Sequence, residues 1–230
     1  ELVPEDNVWN ILQAKLSQKG FSSLQDRYPV LCSGSNANPA QIQHKFTDAD
    51  FDVTVPMIRG NLHGAAAVFA GHVSVYGAIP ATMERVVPCD QQVFVAFYTD
   101  AQLDRMIETE NDNYWLARSG DVRCEIPAIR TPFHPYAFIS KGGVLTFGTG
   151  DPIELHTCSQ GEIIRGIFSR LDGRINGTIG KFDYHAYFEN PLVYREQLER
   201  AITDAGFTRP PAIPWENLSR EDVAPFHRCI

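Results

Sequence analysis

The chain has 230 residues, of which 43% are hydrophobic, with five cysteines, a formal net charge of −8 and a pI near 5.3. That is enough apolar material for a full core, and the acidic balance argues against binding nucleic acid or an anionic membrane surface. No stretch approaches the length of a transmembrane helix, and the start, Glu1-Leu-Val-Pro-Glu-Asp, lacks the regions of a signal peptide.

Taken in chain order, residues 5 to 18 read as an amphipathic helix, with Val8, Ile11, Leu12 and Leu16 on one face and Gly20 as its stop. Residues 29 to 33 form a first strand. β-rich segments follow at 53–58, 66–75 and 79–83, punctuated by Gly60, Gly64 and Gly71. The run Gln92-Val-Phe-Val-Ala-Phe-Tyr98 reads as a buried strand that stops at Thr99-Asp100, a helix N-cap signal. Leu103, Met106 and Ile107 then share one helical face. Further strands are expected at 114–117, 136–140 and 143–147, with Lys141-Gly-Gly as a hairpin turn between the last two. A helix spans Ser159 to about Leu171, residues 172 to 187 read as a surface loop, and Asn190-Pro191 opens a charged helix to about Ala205. The tail from 208 to 230 carries Pro210, Pro211, Pro214 and Pro225 and is expected to be irregular, packing across the surface. Many short strands without βαβ regularity argue for an α+β fold with a mixed or closed sheet. We expect a single domain over 1–230, with its core in 28–155, an N-terminal helix in 1–27, and helices plus an irregular tail in 156–230.

Two segments carry chemical interest. The helix after Tyr98 ends in Glu108-Thr-Glu110, where the chain leaves the core. A carboxylate there can be partly desolvated and accept a proton near neutral pH, although a solvated helix end has the same spacing. The second segment, Val30-Leu-Cys-Ser-Gly-Ser-Asn36, is a strand running into turn chemistry before Pro39 opens a helix with Ile42 and Phe46. Such a loop presents backbone N–H groups that can hold a carboxylate or an oxyanion, and it is equally the pattern of an ordinary strand-to-helix turn. It is neither a P-loop nor a dinucleotide fingerprint.

The order of these segments, with Gly77-Ala-Ile-Pro-Ala-Thr82 and Val93–Tyr98 between them, resembles the gamma-glutamylcyclotransferase-like family over roughly residues 28 to 155. The resemblance implies a small β-barrel with surrounding helices. It matches Gly34, Ser35 and Asn36 to the substrate-binding loop and Glu110 to the catalytic glutamate. Ser33 stands where the family has a loop tyrosine, which points to a changed substrate; Tyr114 or Tyr136 could supply the missing hydroxyl. The expected activity is cleavage of a gamma-glutamyl-type amide by internal cyclisation, releasing 5-oxoproline and an amine. Hydrolysis or other cleavage of a different small amide in specialised metabolism, and a non-enzymatic binding module, are the alternatives.

The remaining tempting residues have structural readings. The five cysteines contain no Cys-x-x-Cys, so neither a zinc ribbon nor a redox pair is supported, and a reducing, cytoplasmic setting is expected. Asp48, Asp50 and Asp52 begin like a calcium loop, but Val53 and Arg59 break it. His63 and His72 could face a cleft, and Arg118 and Arg130 could meet a substrate carboxylate. No metal, organic cofactor, nucleic-acid partner or membrane partner is expected, and nothing in the sequence speaks to oligomeric state. A nucleophilic reading of Cys32, Ser33 or Ser35 lacks a Gly-x-Ser-x-Gly elbow.

Overall fold

The computed structural model describes residues 7–86, 90–129, 131–171, 187 and 189–229. In chain order its elements are α1 (Val8–Gln18), β1 (Tyr28–Cys32), α2 (Pro39–Lys45), β2 (Met57–His63), β3 (Ala66–Phe69), β4 (Ala81–Glu84) and β5 (Asp90–Tyr98). There follow α3 (Asp100–Glu110), β6 (Tyr114–Arg118), β7 (Arg123–Glu125), β8 (Ala137–Ser140), β9 (Val144–Leu145), α4 (Gln160–Leu171), α5 (Pro191–Asp204), β10 (Thr208–Arg209) and β11 (Glu216–Asn217). The chain falls into two compact units, Glu1–Ala66 with Arg85–Ile139 and Ile213–Ile230, and Ala67–Glu84 with Ser140–Ala212. These units cut across the 28–155 core drawn from sequence.

In the first unit β1, β5, β2 and β7 lie side by side and antiparallel. The apolar run of β1 makes it a strand buried on both faces, and its register with β5 sets Val30 against Ala96 and Leu31 against Val95. One face, with Val30, Cys32, Ala96 and Tyr98, packs in a common cluster with Ile42 and Phe46 around α2 and with Leu103 and Met106 of α3. Toward the other face Phe97 meets Trp9 and Phe226, and Phe226 meets Phe133 edge-on at 4.9 Å.

The segment 133–136 then closes the sheet. Phe133 exchanges two backbone hydrogen bonds with Cys124 of β7, at 2.8 and 3.1 Å, while Tyr136 bonds Pro29 and Leu31 of β1 in a parallel bridge, at 2.9 and 2.8 Å. Gly60 on β2 makes room for this curl, because a Cβ there would lie 2.6 Å from the Cys124 Sγ. The result is an α+β fold with a mixed sheet that returns on itself, as the sequence led us to expect.

The second unit packs β3, β4, β9 and β10 with α4 and α5 around Phe69, Ile79, Leu145, Ile163, Ile167, Leu198 and Phe207. Fully buried Glu84 is held there by Arg209 at 3.0 Å and by the Ala212 N–H at 2.7 Å. His72 is also buried, its Nδ1 lying 2.8 Å from the Ser140 Oγ, so it faces no cleft.

Several expectations change. The segment 66–75 is a strand only to Phe69. The hairpin across Lys141-Gly-Gly does not form: Ser140 and Gly143 make a turn, but β8 pairs with β6 and β9 with β10. The C-terminal tail is not merely irregular, since it supplies β10 and β11 and buries Ile213, Val223 and Phe226. The expected loop 172–187 lies outside the described residues except for Tyr187, which is fully buried and donates to the Gly77 carbonyl at 2.7 Å.

Arg27, just before β1, is fully buried. Its guanidinium donates to the carbonyls of Ser22, Thr54 and Phe97 and to the side-chain oxygen of Gln102. Arg27→Leu leaves those acceptors without a donor in the interior, so we expect a loss of roughly 2–4 kcal/mol in urea unfolding. Arg85→Leu, which removes a solvent-exposed pair with Asp121, is expected to change stability by less than about 1 kcal/mol.

Candidate active site

The site grows from two helix boundaries. At the first, β1 ends at Cys32 and the chain turns through a short 3-10 segment, Gly34–Ala37. Gly34 takes φ +52°, a left-handed conformation that glycine adopts without steric penalty. The Asn36 N–H returns to the Ser33 carbonyl at 3.1 Å, which turns the buried Asn36 side chain inward. Asn38 then caps α2 by accepting from the Ala40 N–H at 3.0 Å, and Pro39 occupies the first helical turn. Seven residues later α2 ends in Lys45.

At the second boundary Thr99 and Gln102 form a complete capping box at the start of α3. The helix runs eleven residues and ends in Glu110, with no basic residue in its last turn. A carboxylate at a helix C-terminus faces the negative end of the helix dipole, so it needs a cation from elsewhere. Lys45 supplies it: its ammonium pairs directly with the Glu110 Oε1 and donates to the Asn36 Oδ1 at 2.7 Å. The Asn36 amide in turn donates to the same Glu110 Oε1 at 3.0 Å. Both members of the ion pair are mostly buried, with side-chain exposures of 18% for Lys45 and 11% for Glu110.

Three side chains, two hydrogen bonds and an ion pair thus close a triangle on one carboxylate oxygen. The other, Oε2, makes no hydrogen bond among the described residues. The Glu110 charge acts on two phenols, Tyr114 and Tyr98, and Tyr98 is in turn coupled to the Cys32 thiol. Burial, and then the nearby Glu110 charge, pushes the Tyr114 hydroxyl above its ordinary range. Tyr98 is raised by burial and by the charges of Cys32 and Glu110. Burial pushes the Cys32 thiol up to about 12. These groups stay protonated at neutral pH, so none is a ready nucleophile.

Of the expected site residues, Glu110, Asn36 and Tyr114 come together, and Gly34 sets the turn that brings Asn36 in. Ser33 and Ser35 flank that turn, and their hydroxyls make no hydrogen bond among the described residues. Tyr136 makes no hydrogen bond to Glu110, Asn36 or Lys45 among the described residues. It is fully buried, with its hydroxyl accepting from the Ala224 N–H at 2.8 Å and lying 3.1 Å from the Ala224 carbonyl. Glu108 points elsewhere, to Arg105 at 3.3 Å, and Arg130 lies outside the described residues. Lys45 was missed from sequence. Its signal was present in the His44-Lys45 end of α2, but nothing local tells a lysine that reaches 65 residues along the chain from a solvated one.

No protein-family model and no curated protein matches the sequence. Among solved structures one neighbour is a gamma-glutamyl cyclotransferase. It shares 11% identity with a TM-score of 0.40, and the match covers 85% of this chain and 96% of that one. An uncharacterized protein from Homo sapiens matches at 11% identity and TM-score 0.41, over 86% of this chain and 97% of that one. A protein from Arabidopsis thaliana matches at 13% identity and TM-score 0.41, over 64% of this chain and 87% of that one.

The raised thiol makes a signed prediction. Cys32 has an ordinary value of 9.0 and is pushed up to about 12 in the fold, so between those values the native state holds a proton that the unfolded chain has lost. Stability from this group is fully present at neutral pH and is lost as pH rises from about 9 to about 12. Urea unfolding under reducing conditions should therefore show a falling stability across that range. Cys32→Ala should shallow the fall without abolishing it, because the Cys124 thiol and the Tyr136 phenol are also pushed up to about 12.

Proposed function

We propose that the protein cleaves a gamma-glutamyl-type amide by internal cyclisation, with Glu110 as the general acid and base. The observation that carries this reading is the asymmetry of the Glu110 carboxylate. Oε1 is fixed by Lys45 and Asn36, which leaves Oε2 as the oxygen able to exchange a proton with a bound substrate.

The reaction needs no nucleophile from the protein. The substrate α-amine attacks the side-chain carbonyl carbon, a five-membered lactam closes, and the amide C–N bond breaks. Glu110 takes a proton from the α-ammonium and returns one to the leaving amine, so no water is consumed. Folding the substrate so that amine and carbonyl meet is worth several orders of magnitude in rate, and the Gly34-Ser35-Asn36 turn supports that orientation with its hydroxyl and backbone donors. Lys45 keeps the carboxylate in one rotamer, which is a positioning role.

A second reading draws on the same triangle. A glutamate gripped by a lysine and an asparagine is also what a binding module would use to brace α3 against α2. The absence of the loop tyrosine, replaced by Ser33, fits this alternative and equally fits an enzyme for a different small amide.

Incubation with a panel of gamma-glutamyl amides, followed by mass spectrometry for 5-oxoproline, distinguishes these readings. We expect lactam release, lost by at least about a hundredfold in Glu110→Gln while the urea midpoint shifts little. Blocking the substrate α-amine should stop turnover; turnover that persists points to hydrolysis. No turnover of any amide, with Glu110→Gln and Lys45→Met destabilising the fold alike, would leave the brace as the role of the triangle.

A further inference from the structure

At the end of β6 away from Tyr114 lies a recess that the proposed reaction does not use. Its volume is about 480 Å³, and it is lined by Arg118, Ser119, His134, Glu216, Arg228 and Cys229, together with Gly120 and Pro214. Arg118 is four residues from Tyr114, about 13 Å along a strand, so the recess and the Glu110 triangle occupy opposite ends of one element.

The electrostatics of the recess are unusual for an acidic chain. Three separate segments deliver basic groups to it: the end of β6, the stretch leading into β8, and the C-terminal residues. Neither Arg118 nor Arg228 has a carboxylate within ion-pair distance among the described residues. Arg118 instead lies over the Tyr136 ring at 5.8 Å, which fixes its planar head beside the wall. His134 is held at one edge only. Its Nδ1–H donates to the Val122 carbonyl at 2.7 Å, and its Nε2 makes no hydrogen bond among the described residues. Buried Ser119 adds a hydroxyl, which accepts from the Asp121 N–H at 3.2 Å and keeps its own proton to donate. The single acid of the lining, Glu216, lies on exposed β11.

We propose that this recess binds a small oxyanion, a phosphate monoester or a carboxylate, through Arg118, Arg228 and His134. Two guanidinium forks offer paired N–H donors of the kind that carboxylate and phosphate oxygens accept, the Ser119 hydroxyl adds a third donor, and His134, whose Nδ1–H is taken by Val122, donates from Nε2 in its protonated form. The chain's net charge of −8 disfavours loose anion association, so binding here depends on these local donors. Glu216 opposes the ligand and sets an upper limit on affinity.

Calorimetric titration of the whole protein with inorganic phosphate, and separately with succinate, at constant ionic strength tests this. We expect saturable binding of one of the two, weakened about tenfold in Arg228→Gln and strengthened in Glu216→Gln. Arg228 is exposed, so its replacement leaves the fold intact, and a thermal melt of the variant checks this. Preference for phosphate identifies a phosphate monoester as the ligand class, and preference for succinate a carboxylate. Absence of saturation by either anion, equal binding in wild type and both variants, or loss of binding in Glu110→Gln instead, overturns the proposal.

Discussion

Arg27 and Gln102 form the constraint on which the first unit depends. A buried guanidinium is expensive to desolvate, and here no carboxylate touches it. Burial pulls it below its ordinary range, Asp52 restores part of that from a distance, and Nη2 has no hydrogen-bond partner among the described residues. What holds the cation is a ring of oxygens from four places in the chain, those of Ser22, Thr54, Phe97 and Gln102. Gln102 does more than accept. It completes the Thr99 capping box, and its amide donates to the carbonyls of Asp52 and Thr54. The start of β1, the end of β5, the strand-like segment before β2 and the start of α3 therefore meet at one polar node inside an apolar shell.

The position of the candidate catalytic acid follows from this node. α3 is one continuous helix, and Glu110 lies eight residues from Gln102, about 12 Å along the axis. Its direction is set at the cap and by Leu103 and Met106 against the sheet. The node thereby delivers a carboxylate to the edge of β1, where Asn36 waits. At that end the helix dipole opposes a negative charge, so the sequence places an acid where helix stability alone would not. Lys45 offsets the penalty, and it does so on one oxygen. The local rule broken at Glu110 is compensated from another element.

Some of this was legible in the sequence and some was not, for physical reasons. The apolar run to Tyr98, the Thr99 cap and the spacing of Leu103 and Met106 are local signals, and α3 with its terminal acids follows from them. The Gly34 turn was equally local. Lys45 was not, because an ion pair spanning 65 residues leaves no periodicity behind. The Tyr136 hydroxyl likewise has a partner that no local signal announces, Ala224, 88 residues away. The proline-rich tail misled because proline rules out long regular structure but not burial. Pro225 precedes the short turn at Phe226, whose ring fills the interior between Phe97 and Phe133. The turn at 140–143 was read correctly as a turn and wrongly as a hairpin, since a turn fixes chain reversal and not strand partners.

The C-terminal segment also explains how α3 is held at its exposed start. Asp100 and Asp104 are favourably placed toward the positive end of the helix, yet two acids one turn apart repel each other. Arg220 bridges them, donating to Asp100 and to Asp104 at 2.5 Å each, with its head 4.7 Å over the Tyr28 ring. The Tyr28 hydroxyl donates to the same Asp100 at 2.7 Å and, with Arg220, holds that carboxyl below its usual range. One helix is thus fixed at its start by Arg27 and Arg220, which precede and follow it by more than seventy and one hundred residues, and at its end by Lys45. Three cations distant in sequence converge on α3, and in an acidic chain that convergence is what holds Glu110 at the edge of the Asn36 turn.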